Sequence, residues 1–250
     1  VDLDGTLVKT DILLESTLSL LKKNFFYIFL LPLWLIRGRA EFKHKIANLV
    51  DIDIESLPRN LELIEFLRAQ KKMGREIFLA TASNEKYAHQ ISQYINLFKS
   101  VFASDRENNL SGEKKKERLV KEFGERGYDY AGNAHADLAV WSSANNAIVV
   151  NGSDSLTKKA SKISQVERTF NVERAGIGTY LRQIRVHQWA TTLLIFVPLI
   201  ASHQLADYAM LAQAILAFFV FSLTASSVYV WNDLLDLSCD RKHASKSKRP

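Results

Sequence analysis

The heptapeptide VDLDGTL, residues 1–7, decides the fold of the region around it. Its two carboxylates, Asp2 and Asp4, stand at alternate positions of what reads as a strand, and the Gly-Thr pair after them can leave the strand and present backbone N–H groups. Such a loop binds a metal ion and a phosphate group together, because carboxylates attract the cation while N–H groups bind the anion.

Three further motifs follow in the order expected for a series of strand–helix units. Residues 76–83, EIFLATAS, read as a buried strand that ends in hydroxyl residues, and a helix is expected from about 85 to 95. Residues 112–115, GEKK, open another helical pattern, and residues 128–137, YDYAGNAHAD, form the fourth motif. Four such units over residues 1 to about 150 predict an α/β domain with a doubly wound sheet.

The four segments together resemble the four motifs of the haloacid dehalogenase superfamily. The resemblance implies that Asp2 is the nucleophile that accepts the phosphoryl group and that Asp4 is the acid/base. It also implies that Thr81 donates a hydrogen bond to phosphate. Lys115 fits best as the lysine that neutralises the nucleophile and the phosphate, although its two lysine neighbours keep the register of the third motif open.

The fourth motif departs from the superfamily pattern at Asn133, which stands where the first metal-binding aspartate is expected. An amide can bind Mg²⁺ through its carbonyl oxygen but brings no charge, so a lower metal affinity is expected. Asp137 remains as the acid of this motif. The cofactor implied by the resemblance is Mg²⁺, and its implied ligands are Asp2, Asp4, Asn133 and Asp137.

Some seventy residues separate the first motif from the second, too many for a simple connection. Four helices are expected there, near 11–22, 25–37, 40–49 and 58–73, and they predict a helical cap over about 11–73. Residues 25–36 carry no charge and are flanked by basic residues. This run is too short for a bilayer of roughly 30 Å, which needs about 20 residues, so it is either an interfacial helix or a buried helix of the cap.

Charge is distributed unevenly along the chain. Residues 186–231 contain a single formally charged side chain, Asp207, whereas the part before them mixes charged and apolar residues as a soluble domain does. Two transmembrane helices are therefore expected, at 186–203, with a kink at Pro198, and at 208–231. The predicted organisation is an α/β domain at 1–175, a linker at 176–185 and a membrane region at 186–250.

The basic residues predict the orientation of the membrane region. The loop between the two predicted spans has no Lys or Arg, while basic residues precede the first span and follow the second. By the positive-inside rule, both ends and the soluble domain face the cytoplasm, and the protein is expected in the cytoplasmic membrane. The net charge of +6 is concentrated beside a span, which favours a membrane surface and phosphorylated lipid over nucleic acid as partners.

The second predicted span runs directly into NDLLDLSCDRKHASKSKRP, residues 232–250. Asp233, Asp236 and Asp240 are spaced i, i+3 and i+7, so they share one face with Asn232 if the helix continues. Three carboxylates so close would repel one another, and a divalent cation such as Mg²⁺ relieves that repulsion. The basic residues that follow suit phosphate oxygens or anionic lipid headgroups.

This segment resembles the first aspartate-rich motif of the UbiA-type intramembrane prenyltransferases. The residues after it are most similar to the branch that contains polyprenyl-phosphate phosphoribosyltransferases, and Arg182, Arg185 and residues 187–189 resemble that branch more loosely. Both ends of the chain look truncated, and a second aspartate-rich motif would lie beyond Pro250. The implied metal ligands are Asp233, Asp236 and Asp240, and the implied phosphate contacts are Asn232, Arg241, Lys246 and Arg249.

The two resemblances together predict a membrane-bound prenyltransferase with a fused phosphatase-like domain. Its expected partners are a polyprenyl phosphate or diphosphate lipid, a small phosphorylated or aromatic co-substrate and the membrane. One alternative is phosphoribosyl transfer to polyprenyl phosphate, with the soluble domain as product phosphatase. A second alternative is a catalytically weak regulatory module in the soluble half, because of Asn133.

Overall fold

The computed structural model describes residues 1–171, 176–203 and 205–242. The chain divides into two compact units, Val1–Val172 and Glu173–Pro250. The first unit is an α/β domain, and the second is helical.

The strands of the first unit run parallel to one another. They are β1 (Phe78–Asn84), β2 (Ser100–Ser104), β3 (Tyr130–Gly132), β4 (Asn146–Val150) and β5 (Gln165–Phe170). β1 pairs with β2, and β4 lies between β3 and β5. The strands next to the centre are buried, as expected for a parallel sheet with helices on both faces.

Residues 1–3 join these two groups of strands into one sheet. The N–H of Ala80 donates to the carbonyl of Val1, and the N–H of Asp2 donates to the carbonyl of Ala131, each at 2.8 Å. The segment occupies a strand position between β1 and β3 but is shorter than the predicted strand. The order across the sheet is therefore β2, β1, residues 1–3, β3, β4 and β5. Successive strands are added on one side of residues 1–3 as far as β2, and on the other side from β3 onward. This is the doubly wound arrangement, which the sequence predicted.

Four of the eight α-helices described in the first unit begin after residues whose side chains accept N–H groups. The eight helices are α1 (Ile12–Lys23), α2 (Leu31–Ile36), α3 (Arg39–Leu49), α4 (Leu61–Lys72), α5 (Glu85–Ile95), α6 (Glu113–Phe123), α7 (Asp137–Trp141) and α8 (Asp154–Ile163). Asp11, Asn60, Asn84 and Ser153 cap α1, α4, α5 and α8 through side-chain oxygens. Such caps satisfy N–H groups that the helix itself leaves unpaired.

The cap between the first motif and β1 is helical, as predicted. The single helix expected over 25–37 is divided into a 3₁₀ segment, Phe25–Phe29, and α2. Pro32 lies in the first turn of α2, where its missing N–H breaks no hydrogen bond. Leu20 and Ile46, both fully buried, hold α1 and α3 together.

Two buried clusters form the core of the first unit. Leu3, Leu79 and Tyr87 belong to the larger cluster. Trp141 and Tyr130 belong to the other, where the Trp141 Nε1–H donates to the Tyr130 carbonyl at 2.9 Å. All members of both clusters come from the first unit, which therefore has a hydrophobic core of its own.

The described part of the second unit consists of helical segments. They are α9 (Ile177–Gln183), α10 (Trp189–Thr192), α11 (Val197–Ala201), α12 (Tyr208–Leu235) and α13 (Leu237–Lys242), with 3₁₀ segments at Val186–Gln188 and Leu193–Phe196. α12 is long and apolar enough to cross a membrane. Its 28 residues extend about 42 Å, more than the roughly 30 Å of a bilayer core.

The expected first span over 186–203 is not one continuous helix. Its short segments reach the length of a span only together with α9, from which they are bent by 46°. Pro198 lies in the first turn of α11, where the preceding 3₁₀ segment ends, so the interruption includes the predicted kink. Ser226 on α12 links to this region, since its hydroxyl accepts from Trp189 Nε1 at 3.0 Å and donates to the Ile184 carbonyl at 2.6 Å.

Truncation of Leu79 tests the core of the first unit. Leu79 is fully buried in β1, so Leu79→Ala should lower the free energy of unfolding of residues 1–172 by about 2–5 kcal/mol. Urea unfolding followed by circular dichroism measures this loss. Leu61→Ala, at a side chain that is 65% exposed, should change it by less than about 0.5 kcal/mol. Equal losses in the two variants would contradict the assigned core.

Candidate active site

Side chains from all four sequence motifs converge on one cleft of the first unit. The cleft has a volume of about 570 Å³ and lies at the carboxyl end of the sheet, beside residues 1–3, where the strand order switches from one side to the other. Ligand sites of doubly wound proteins lie at this position. The predicted site residues that line the cleft are Asp2, Asp4, Lys115, Asn133 and Asp137, and Ser83 represents the second motif there.

Lys115 is the centre of the site. Its Nζ lies 2.9 Å from Asp2 Oδ1 and 3.6 Å from Asp137 Oδ1, and it donates to the Tyr130 hydroxyl at 2.8 Å. Burial alone would lower the pKa of Lys115, but the carboxylates of Asp2 and Asp137 outweigh burial and raise it. Lys115 therefore remains protonated. The sequence left the register of the third motif open among three lysines. Of these three, Lys115 is the one that lines the cleft.

Asp137 is held by the backbone of its own motif. Its Oδ2 accepts the N–H groups of Asn133 and Ala134 at 3.0 and 2.9 Å, and its Oδ1 accepts from the Tyr130 hydroxyl at 3.2 Å. A Cβ atom on Gly132 would collide with this carboxylate. The glycine is therefore required for the close approach of Asp137 to the end of β3.

Asp4 is positioned by two hydrogen bonds from other segments. Its Oδ1 accepts the N–H of Ile12 at 2.8 Å, and its Oδ2 accepts the Ser83 hydroxyl at 2.5 Å. Burial raises the pKa of Asp4 to about 6, even though both hydrogen bonds favour the charged form. A carboxyl group that exchanges its proton near neutral pH has the property that a general acid/base needs.

Thr81 and Ser83 occupy different positions at the end of β1. Thr81 is fully buried, and its hydroxyl oxygen accepts the N–H of Ser83 at 2.9 Å. Ser83 lines the cleft and reaches Asp4. The predicted contact of Thr81 with phosphate stays a prediction. The sequence analysis did not select Ser83, although both hydroxyl residues stand in the same motif.

The loop of the first motif depends on Gly5. Gly5 has a φ of 68°, which favours glycine, and a Cβ atom there would collide with the side-chain amide of Asn133. Asn151 supports the loop from β4, since its Nδ2 donates to the Gly5 carbonyl at 2.8 Å. Asn133 therefore lies against the loop that carries Asp2 and Asp4. Asn151 is a further site residue that no sequence motif indicated.

The composition of the cleft fits a magnesium ion. Asp2, Asp4 and Asp137 bring three carboxyl groups into the cleft, and Asn133 brings a carbonyl oxygen. Hard oxygen ligands of this kind are what Mg²⁺ requires. In the part of the chain that the structure describes, no three His, Cys, Asp or Glu residues are already arranged around a common metal position.

Lys43 connects the cap to the sheet beside this cleft. Its Nζ donates to the carbonyl of Ala82 at 2.6 Å and to Asn109 Oδ1 at 2.9 Å, and its side chain lines the cleft. Burial lowers the pKa of Lys43, and the carboxylates of Asp4 and Asp11 oppose this effect. The sequence analysis did not identify Lys43, because nothing in its local pattern shows which loop it reaches.

The aspartate-rich segment of the second unit differs from the expected arrangement. α12 ends at Leu235, Asp236 follows it as a cap, and Asp240 lies in α13, so the acids are not on one continuous helix. Arg185 Nη2 lies 3.0 Å from both carboxylate oxygens of Asp233, and the guanidinium group lies over the ring of Tyr229. Asp233 is thus already compensated by a cation.

The other predicted residues of this segment are only partly described. Asn232 lies in the last turn of α12, where its carbonyl accepts the N–H of Asp236 at 3.0 Å. Arg241 lies in α13. Lys246 and Arg249 lie outside the described residues. The metal and phosphate roles of the segment stay predictions.

One known relative matches almost the whole chain, and others match only a short part of it. No protein-family profile matches it. An uncharacterized protein of Sinorhizobium fredii, y4nM, is 32% identical over 254 residues, which cover 99% of this chain and 48% of that protein. The decaprenyl-phosphate phosphoribosyltransferase of Mycobacterium tuberculosis is 38% identical over 74 residues, which cover 28% of this chain and 24% of that protein. The nodulation protein NoeC of Azorhizobium caulinodans is 42% identical over 72 residues, which cover 29% of this chain and 23% of that protein.

The chain therefore spans about half the length of the relative that it matches throughout, and about a quarter of the other two. Among solved structures, phosphoserine phosphatase in its apo form aligns at a TM-score of 0.49 with 14% identity, over 68% of this chain and 91% of that chain. A protein of unknown function from Bordetella pertussis Tohama I aligns at a TM-score of 0.51 with 17% identity, over 66% of this chain and 95% of that chain.

The alignment with the Bordetella pertussis protein shows a shared fold alone. Together with the parallel sheet, it shows that the first unit has a Rossmann-type α/β fold. The short matches to the phosphoribosyltransferase and to NoeC support a fused two-domain architecture.

The raised pKa of Asp4 predicts a pH-dependent effect of its replacement. In the folded state Asp4 keeps its proton up to about pH 6, whereas in the unfolded chain an aspartate loses its proton near about pH 4. The free energy of unfolding therefore falls as the pH rises from about 4 to about 6, and it stays lower above about pH 6 because ionised Asp4 is buried. Asp4→Asn should therefore stabilise metal-free residues 1–172 at pH 7.5 by about 1–3 kcal/mol and have little effect at pH 4. Urea unfolding at both pH values measures the difference. An effect of Asp4→Asn on the free energy of unfolding that is the same at both pH values would contradict the raised pKa of Asp4.

Proposed function

We propose that the first unit is a phosphomonoester hydrolase in which Asp2 attacks the phosphorus atom. The observation that carries this proposal is the buried contact between Lys115 Nζ and Asp2 Oδ1, at 2.9 Å, in a cleft that also contains Asp4 and Asp137. Burial raises the pKa of Asp2, and the ammonium group of Lys115 opposes this effect by favouring the carboxylate form. The same ammonium group compensates the charge of an incoming phosphate.

The positions of Asp2 and Asp4 support a two-step reaction. In the first step, an Asp2 oxygen forms a bond to phosphorus, the bond to the leaving oxygen breaks, and Asp4 donates a proton to that oxygen. In the second step, Asp4 takes a proton from water, the water oxygen attacks phosphorus, and inorganic phosphate leaves Asp2. A carboxyl group with a pKa of about 6 suits both proton transfers.

The remaining cleft residues bind and orient the phosphoryl group. Lys115 stabilises the charge that develops on its oxygens, and Ser83 holds the carboxyl of Asp4 in place. Mg²⁺, when bound by the oxygens of Asp2, Asn133 and Asp137, supplies positive charge that neutralises nucleophile and phosphate. Thr81 remains the proposed hydrogen-bond donor to the phosphate.

Phosphate release by residues 1–172 tests the proposal. We expect Mg²⁺-dependent release of phosphate from small phosphomonoesters, and Asp2→Asn should abolish it because an amide cannot attack phosphorus. Each substrate is measured with EDTA and with the Asp2→Asn variant as blanks. Asp154→Asn is a matched control, since Asp154 is exposed at the start of α8 and should leave the rate unchanged. A rate equal to that of the Asp2→Asn blank on every substrate would remove the hydrolase proposal.

Asn133 supports a second candidate function, a regulatory module with little catalysis of its own. Asn133→Asp should lower the Mg²⁺ concentration for half-maximal activity by about tenfold or more, because the metal gains a charged ligand. The Mg²⁺-dependent rise in melting temperature reports the same affinity without any turnover. Activity in the variant alone favours the regulatory module, and activity in both proteins favours the hydrolase.

For the second unit, we propose the beginning of a UbiA-type transferase in the cytoplasmic membrane, with the first unit on the cytoplasmic side. Its substrate would be a polyprenyl phosphate or diphosphate, and a small phosphorylated or aromatic compound would be the co-substrate. The membrane-length helix α12 and the short match to a decaprenyl-phosphate phosphoribosyltransferase support this proposal. If the transferred group is phosphoribosyl, the first unit would remove phosphate from the product.

A further inference from the structure

The cap carries a group of exposed apolar side chains that its own packing leaves uncovered. This group, the cap ridge, consists of Phe25, Phe26, Phe29, Leu33, Leu35 and Ile36. Phe26, Phe29 and Ile36 are 74%, 70% and 82% exposed. Soluble proteins rarely expose large apolar side chains together in this way, and such patches mark an interface.

The opposite side of the same segment is packed. Tyr27, Leu31 and Trp34 lie against the cluster of Leu20 and Ile46. The rings of Tyr27 and Trp34 are 5.8 Å apart, and Lys45 from α3 lies over the Trp34 ring. The segment is therefore fixed to the cap by one face, and the ridge is the other face of an amphipathic element.

The charges that flank the ridge indicate what covers it. Residues 22–40 contain four cations, Lys22, Lys23, Arg37 and Arg39, and no carboxylate. Apolar side chains bordered by cations on both sides match the interior and the headgroups of an anionic bilayer. We propose that the cap ridge inserts into the surface of an anionic membrane, from which the active site takes its substrate.

The ridge is continuous with the mouth of the active-site cleft. Leu35 belongs to both, and Arg39 and Phe42 line the cleft from the adjoining helix α3. The cap wall of the cleft is thus apolar, with cations from Arg39 and Lys43. This combination suits a phosphomonoester carried on a lipid, whose chain would lie along the ridge while its phosphate reaches Asp2. The substrate part of the inference rests on the proposed hydrolase function, whereas the membrane contact does not.

Vesicle binding by residues 1–172 tests the membrane contact. We expect this fragment to sediment with vesicles of phosphatidylcholine and phosphatidylglycerol, and to bind phosphatidylcholine vesicles more weakly. The triple variant Phe26→Ser, Phe29→Ser, Ile36→Ser should lower the affinity by about tenfold or more, because three apolar side chains no longer enter the bilayer. Circular dichroism confirms that this variant is folded.

Met73→Ser is the matched control. Met73 is 75% exposed but follows α4, at the amino end of the sheet, and its replacement should not change vesicle binding. The inference is overturned if the fragment does not bind the anionic vesicles, or if the triple variant binds them equally well. Sedimentation velocity adds one more outcome: self-association that the triple variant abolishes would assign the ridge to a second copy of the chain and overturn the membrane contact.

Turnover separates this inference from the proposed function. The triple variant should hydrolyse a small soluble phosphomonoester at the rate of the native fragment but lose at least about tenfold in the hydrolysis of phosphatidic acid held in vesicles. The Asp2→Asn variant should bind vesicles normally. Vesicle binding without hydrolysis of either substrate would remove the hydrolase and leave the membrane contact, whereas equal loss on both substrates in the triple variant would contradict the lipid-substrate inference.

Discussion

The buried ion pair between Lys115 and Asp2 is the interaction on which the site depends. Two carboxyl groups, those of Asp2 and Asp137, share one ammonium group where almost no water reaches them. Removing Lys115 would leave two buried carboxyl groups without a compensating cation, which is strongly destabilising. The backbone around it follows from this constraint: Gly132 allows Asp137 to approach, and Tyr130 satisfies both Lys115 and Asp137.

Features with a local cause could be predicted from the sequence. The alternation around Asp2, the apolar run of β1 and the helical patterns between the motifs each depend on neighbours a few positions away, so the doubly wound sheet and the helical cap followed from them. The resemblance of the third motif favoured Lys115 as a site residue, and Lys115 lines the cleft. These residues contact one another in the structure because parallel strands bring their carboxyl ends to the same edge of the sheet.

Features that depend on distant partners could not be predicted. The contact of Lys43 with the Ala82 carbonyl joins positions 39 residues apart, and Asn151 reaches Gly5 across 146 residues. In the second unit, a continuous helix through the aspartates was the simplest expectation. Its end at Leu235 and the pairing of Asp233 with Arg185, 48 residues earlier, depend on packing between helices that no periodicity describes.

The central position of residues 1–3 has a consequence for how the domain folds. This segment pairs with β1, 77 residues later, and with β3, about 130 residues later, so the middle of the sheet cannot close until most of the first unit exists as chain. Closing such long loops early is entropically unfavourable, and folding rates fall as contacts become less local. The edge of β1 that faces residues 1–3 therefore stays unpaired during this interval. An unpaired parallel strand edge is prone to intermolecular pairing, which makes the period before closure the stage at which this protein is most exposed to aggregation.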